Sequence, residues 1–191
     1  FDNTPPEHYP LLLHYPYFQI YRMQLVKQAD LVLALHLRGY AFTPQEKARN
    51  FAYYEARTVR DSSLSAATQA IVAAEVGHLQ LAHDYWAETA FVDLHNLHDN
   101  VSSGLHIAAM AGAWMVAVAG FGGMRDHDGV LTFAPRLPPQ LDRLAFRLRF
   151  AGRVLEVEVC REAPGAADQQ ATYRLLDGDN LRTTHHGEAV H

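Results

Sequence analysis

Cysteine is nearly missing: Cys160 is the only one in 191 residues. That excludes an internal disulfide framework and any cysteine-based zinc motif, and it fits a reducing, cytoplasmic compartment. A basic excess is missing too. The formal charge is -5, with acids and bases interspersed, so no cationic stripe could neutralise phosphates along a duplex and nucleic acid is not an expected partner. There is no HExxH, nucleophile elbow, glycine-rich nucleotide loop or cysteine nucleophile. The opening residues Phe1–Pro16 hold four prolines, no starting Met and no cationic-then-apolar signal pattern, and they read as the continuation of a longer chain. Long apolar runs are scarce. Ile107–Met124 carries no formal charge over 18 residues, close to the roughly 20 that span a bilayer. Its glycines at 112, 120, 122 and 123, the lack of a Lys/Arg anchor before it and His106 at its entrance point instead to a helix buried on all sides, with no membrane as partner.

With about half its residues apolar (49%), the chain can build a real core. Apolar spacing predicts one helix over Tyr17–Leu37, stopped at Gly39. Thr43-Pro44-Gln45-Glu46 combines an N-cap, a first-turn proline and a capping-box glutamate, opening a second helix to about Arg57. A third follows the capping cluster Asp61–Ser65 and runs over Ala66–Val76 to Gly77. Leu79–Leu94 makes a fourth and Leu105–Ala119 an apolar fifth, introduced by Ser102-Ser103-Gly104. The more polar second and fourth helices suit an outer layer, the others an inner one. From residue 126 the period becomes two. Leu144, Phe146, Leu148 and Phe150 alternate with Arg147 and Arg149; across Ala151-Gly152, Val154–Val159 sets Glu156 and Glu158 opposite those arginines. A second hairpin is expected from Thr172–Leu175 and Leu181–Thr184, with fraying from about His185. The expected fold is mainly α, made of helical hairpins over 1–125, with a small antiparallel β-rich domain over 126–191. Two and a half stacked hairpins would leave the flanks of the inner helices exposed, so a further N-terminal portion is expected to complete the core.

Clusters at Lys27-Gln28, Ser62-Ser63 and Ser102-Ser103 recur about every 40 residues, which would put them on one rim of stacked hairpins. Ser62, Ser63, Ser102 and Ser103 sit at expected helix N-termini, where free N–H groups and the dipole favour an anion such as phosphate. The plain alternative is that they only cap helices. His106, on the first turn beside Ser103 and Gly104, could donate a ring N–H to the same anion, with Gly104 allowing close backbone approach. Lys27 and Gln28 interrupt the apolar first helix and could bind sugar hydroxyls, or Lys27 could simply snorkel. The run Asp93-Leu94-His95-Asn96-Leu97-His98-Asp99 reads as a polar helix end rather than a metal site, because no second shell orients its histidines.

The strings Leu25–Asp30, Tyr53–Thr58, Asp61–Ser65, Gly104–Gly112, Gly120–Arg125 and Leu131–Pro138 resemble, in order and spacing, glycoside hydrolase family 65, which contains maltose, trehalose, kojibiose and nigerose phosphorylases and some hydrolases. The resemblance implies the C-terminal part of an (α/α)6 barrel followed by a small β domain. It places Lys27 and Gln28 in the sugar site and Ser62, Ser63 and His106 in the phosphate site, with Ser103 and Gly104 beside it. The implied reaction is inverting phosphorolysis of an α-glucoside to β-glucose 1-phosphate, with inorganic phosphate as co-substrate and no cofactor or metal. The general-acid glutamate would lie upstream, so no catalytic residue falls here and Glu55, Glu75 and Glu88 are not assigned that role. The implied partners are a disaccharide, phosphate and the N-terminal part of the barrel; a homodimer is possible. Many relatives carry an acid where Ser103 stands, and a neutral hydroxyl there leans toward phosphorolysis over hydrolysis. Two alternatives stay open: an α-glucoside hydrolase resembling acid trehalase, and a helical-repeat interaction module.

Overall fold

The computed structural model describes residues 3–8, 11–59, 62–97 and 99–190. Two single-turn helices, Leu11–His14 and Tyr17–Ile20, lead into five main ones: α1 (Asp30–Leu37), α2 (Pro44–Glu55), α3 (Ser65–Glu75), α4 (Leu79–Phe91) and α5 (Ile107–Met115). A π-helical segment, Val116–Phe121, extends α5.

The capping box that opens α2 forms as expected: Thr43 Oγ1 accepts the Glu46 N–H at 3.2 Å, and the Glu46 carboxylate accepts the Thr43 N–H at 2.8 Å. Gly77, at φ +93°, ends α3 in the left-handed conformation that glycine tolerates. The expected helix Tyr17–Leu37 is instead broken in two. Val26 forms a parallel bridge with Thr58, accepting the Val59 N–H at 2.7 Å and donating to the Arg57 carbonyl at 3.0 Å. That pairing demands extended backbone at Val26, so Lys27 and Gln28 lie in the loop before α1 rather than within a helix.

Three observations fix the helix directions. A Cβ on Gly112 would lie 2.7 Å from that of Ala67, and one on Gly120 would lie 3.4 Å from the Ile71 backbone; contacts therefore advance together along α3 and along α5 with its π extension, and the two run parallel. Lys47, early in α2, reaches Glu75 at the end of α3, so α2 is antiparallel to it. Trp86 on α4 donates to the Ala113 carbonyl at 2.9 Å, while Asp93, beyond α4, meets His106, before α5, so α4 is antiparallel to α5. With α1 starting beside Ser62 and ending near Glu75, the helices α1, α3 and α5 point their N-termini at one rim.

Six strands follow: β1 (Leu131–Phe133), β2 (Arg143–Phe150), β3 (Arg153–Arg161), β4 (Gln169–Asp177), β5 (Thr183–His185) and β6 (Glu188–Val190). β2, β3 and β4 form an antiparallel sheet with Arg147 opposite Glu156; the expected pair Arg147–Glu156 is present at 2.7 Å, whereas Glu158 takes Arg143 at 2.6 Å rather than Arg149, which stands opposite Val154. The second expected hairpin does not form. β4 pairs with β3, while β5 inserts between β1, in parallel, and β6. Leu175 follows the alternation of β3, whereas Thr183 is drawn to the Leu131 carbonyl (2.8 Å), so the turn at 177–180 crosses between sheets. Of the residues after His185, those through Val190 are held by β6 rather than frayed.

One buried cluster runs from Val32, Phe51, Val72, Tyr85 and Phe121 in the helices to Phe133, Leu155 and Val157 in the sheets. The expectation that residues 107–124 are buried all round fails for their first half. The π-helical residues Val116, Val118 and Phe121 are fully buried, but Ile107, Met110 and Trp114 on α5 are exposed, as are Leu31, Leu33 and Leu37 on α1; these are helix flanks that the described residues leave uncovered. Among the described residues, no helix is long and apolar enough to cross a membrane.

Candidate functional site

Gln28 and Ser62 meet ahead of α1 and α3, and His106 stands ahead of α5, the helix that runs parallel to α3. Gln28, half-buried, donates its side-chain amide to the Ser62 hydroxyl at 3.2 Å, joining the loop before α1 to the loop before α3. Ser62 also accepts the Leu64 N–H at 3.3 Å, and its carbonyl accepts the Ser65 N–H. The serine pair therefore precedes the helix by a short turn, which Ser62 braces. Ser63 is half-buried and Lys27 exposed on the same rim. Asp61 and His98 lie outside the described residues.

The start of α5 is arranged differently from expectation. His106 is the residue before the helix, not within its first turn. Its backbone N–H goes to Asp93 Oδ2 at 2.9 Å and its ring Nδ1 to Asp93 Oδ1 at 2.6 Å. One of the helix-start donors expected to serve an anion is thus already taken. The side chains of Asp93 and His106 are only 13% and 19% exposed, and the hydrogen bond from the His106 ring holds the Asp93 carboxyl below the usual carboxylate range. Ser102 and Ser103 sit exposed in a 3-10 turn, Val101–Ser103, and Gly104 follows at φ +124°, a conformation that a side chain would strain.

The Asp93–Asp99 run is a chain reversal. Asn96 and Asp99 adopt φ +48° and +50°, Asn96 caps the turn through the Val101 N–H and the Asp99 carboxylate, and His95 stacks on Phe91. Among the described residues no group of three or more His, Cys, Asp or Glu side chains gathers in the manner of a metal site. Glu55 accepts the Tyr85 hydroxyl at 2.6 Å, and Glu75 lies at the far end of α3 between Lys47 and Arg125. A cleft of about 500 Å³ lined by Leu11, Tyr15, Ile20, Gln24 and Arg57 includes none of Lys27, Gln28, Ser62, Ser63 or His106.

Comparison with known proteins now decides the family. Residues 1–115 match the glycosyl hydrolase family 65 central catalytic domain, and residues 124–191 match the C-terminal domain of the same family. The chain belongs to glycosyl hydrolase family 65. Among family 65 relatives, an uncharacterized glycosyl hydrolase of Mycobacterium leprae is 53% identical over 94% of this chain and 22% of that protein. An alpha,alpha-trehalose phosphorylase of Thermoanaerobacter brockii is 42% identical, again over 94% of this chain and 22% of its own length. A solved structure with the provisional name kojibiose phosphorylase, from human microbiome, superposes with a TM-score of 0.88 at 26% identity, covering 99% of this chain and 25% of the other. The chain thus spans about a fifth of the length of the curated family 65 relatives it matches.

Proposed function

We propose that this chain is the phosphate- and sugar-binding part of an inverting α-glucoside phosphorylase, with residues 1–125 closing an (α/α)6 barrel and 126–191 as its C-terminal domain. The observation that supports the reading is the position of Gln28, Ser62 and the Asp93-bound His106, each ahead of one of three helices that point the same way. Lys27 and Gln28 would hold glucose hydroxyls. Ser62, Ser63 and His106, with Ser103 and Gly104 alongside, would hold inorganic phosphate. A phosphate oxygen attacks the anomeric carbon as the bond to the glycosidic oxygen breaks on the opposite face, and a glutamic acid outside these residues protonates the departing oxygen, giving β-glucose 1-phosphate. No cofactor is needed for that exchange.

A hydrolase would need a carboxylate free to activate water, and Asp93 is the carboxylate that meets His106. Both of its oxygens are engaged by His106, which favours phosphate over water as nucleophile. In the enzyme containing this chain, cleavage of an α-glucobiose should require inorganic phosphate and yield the β anomer. His106→Ala should weaken phosphate use by about 1.5–3 kcal/mol, the range for a hydrogen bond to a charged group. Equal turnover in phosphate-free buffer would establish hydrolysis instead. The 191-residue chain assayed alone should be inactive, since missing general-acid catalysis costs about 10²–10⁴ in rate; robust phosphorolysis by it would place the acid within these residues.

A further inference from the structure

We propose that Asp93 is a positioning residue for the phosphate nucleophile, acting through His106; this rests on the phosphorylase reading above. Asp93 follows α4 and His106 precedes α5, 13 positions apart across the reversal at Asn96–Asp99. One carboxylate grips that histidine at two points, ring Nδ1 at 2.6 Å and backbone N–H at 2.9 Å. A single contact would leave the ring able to turn about its side-chain bonds. Two contacts, one to backbone and one to the ring, fix both the place of the residue and the rotation of the imidazole.

The pairing also settles which nitrogen can serve the substrate. The carboxylate only accepts, so Nδ1 carries a proton, and any hydrogen bond from the ring to phosphate must use Nε2. Asp93 thus holds the ring in one orientation, with Nε2 as the atom that would meet an oxyanion. Neither residue type at these positions suggests this alone. The arrangement becomes visible only when the reversal brings α4's end to α5's start.

The test is kinetic and uses the enzyme that contains this chain. Asp93→Asn keeps one acceptor oxygen but removes the charge, and should raise the KM for inorganic phosphate about tenfold to a hundredfold, while the KM for the disaccharide stays within about twofold of wild type. In a His106→Ala background the same substitution should add almost nothing, because its effect passes through the ring. If His106→Ala leaves phosphate KM unchanged, the phosphorylase site assignment itself fails. If His106→Ala raises it but Asp93→Asn does not, or if the two effects multiply independently, only the positioning role is overturned. Should Asp93→Asn not fold, histidine side-chain ¹⁵N spectra of the wild type decide the matter: the His106 signals, assigned by their loss in His106→Ala, must show a protonated Nδ1 and a shift of Nε2 on addition of inorganic phosphate. An unprotonated Nδ1, or no response at Nε2, would overturn the proposal.

Discussion

Replacing Glu75 by Gln should lower the stability of the chain by about 3–5 kcal/mol, the cost of leaving buried charges without their counterion. Glu75 closes α3 with one oxygen 2.5 Å from Lys47 Nζ on α2 and the other 2.8 Å from an Arg125 guanidinium nitrogen ahead of β1. The three side chains are 11%, 22% and 12% exposed for Lys47, Glu75 and Arg125. Water therefore screens them little. Arg125 also donates to the carbonyls of Ala119 and Met124, capping the π-helical extension of α5, so loosening it would loosen the junction between helices and sheets. Burial alone would raise the Glu75 carboxyl, but the charge of Arg125 and the hydrogen bond from Lys47 outweigh it and the net displacement is downward. A depressed carboxyl contributes stability that is present above its ordinary value of 4.5 and is lost as pH falls through the lowered one. Urea unfolding at neutral pH reads the effect. A loss below about 1 kcal/mol, the median for exposed pairs, would mean that these charges are solvated after all. Because Glu75 stands at the end of α3 away from Ser62, phosphate KM in the enzyme containing this chain should not change with it.

How much of this was legible in the sequence depends on the range of the interaction. Elements set by neighbours within a few positions read correctly. The Thr43–Glu46 box, the Gly77 stop and the Arg147–Glu156 hairpin each follow from residues close along the chain or facing across a tight turn. The three polar clusters were also recognisable by their spacing of about 40 residues, because each precedes one inner-layer helix and the hairpin between them repeats. What could not be read was decided at a distance. Val26 leaves the helical pattern of Tyr17–Leu37 for a backbone partner 32 positions away, and nothing in its neighbourhood announces Thr58. β4 and β5 look like a hairpin because their turn, Asp177–Asn180, is typical of one; their partners are elsewhere. At the candidate site, Asp93 stayed hidden in a run that resembled a metal cluster. Its signal was the pair of turn-forming residues Asn96 and Asp99, both left-handed in the structure, which fold the chain back and place the carboxylate against His106.

His36 should make the fold lose stability as the solution is acidified below about pH 6.5, a loss that begins above the ordinary carboxylate range. Burial, reinforced by the charge of Arg125, lowers its pKa from 6.5 to about 4, with Glu75 and Asp126 opposing and His127 adding to the shift. The native state thus keeps the imidazole neutral at pH 5, where the unfolded chain protonates it. With the folded value depressed, the contribution is fully present above 6.5 and declines as pH falls from there toward 4, by about 3 kcal/mol in all. The ring sits on α1 beside the Glu75–Arg125 pair, and its Nδ1 has no hydrogen-bond partner among the described residues, so an added proton would meet a cation without gaining an acceptor. His36→Met, similar in volume and uncharged, should remove this acid sensitivity while leaving the neutral-pH stability within about 1.5 kcal/mol, the cost of a volume-conserving core swap. Urea unfolding of both proteins at pH 7, 5.5 and 4.5 makes the comparison within a window where Glu75 is still ionised. The wild type should lose stability to the variant at each step down, and parallel curves would show that the His36 proton is taken up equally by the folded and unfolded chains.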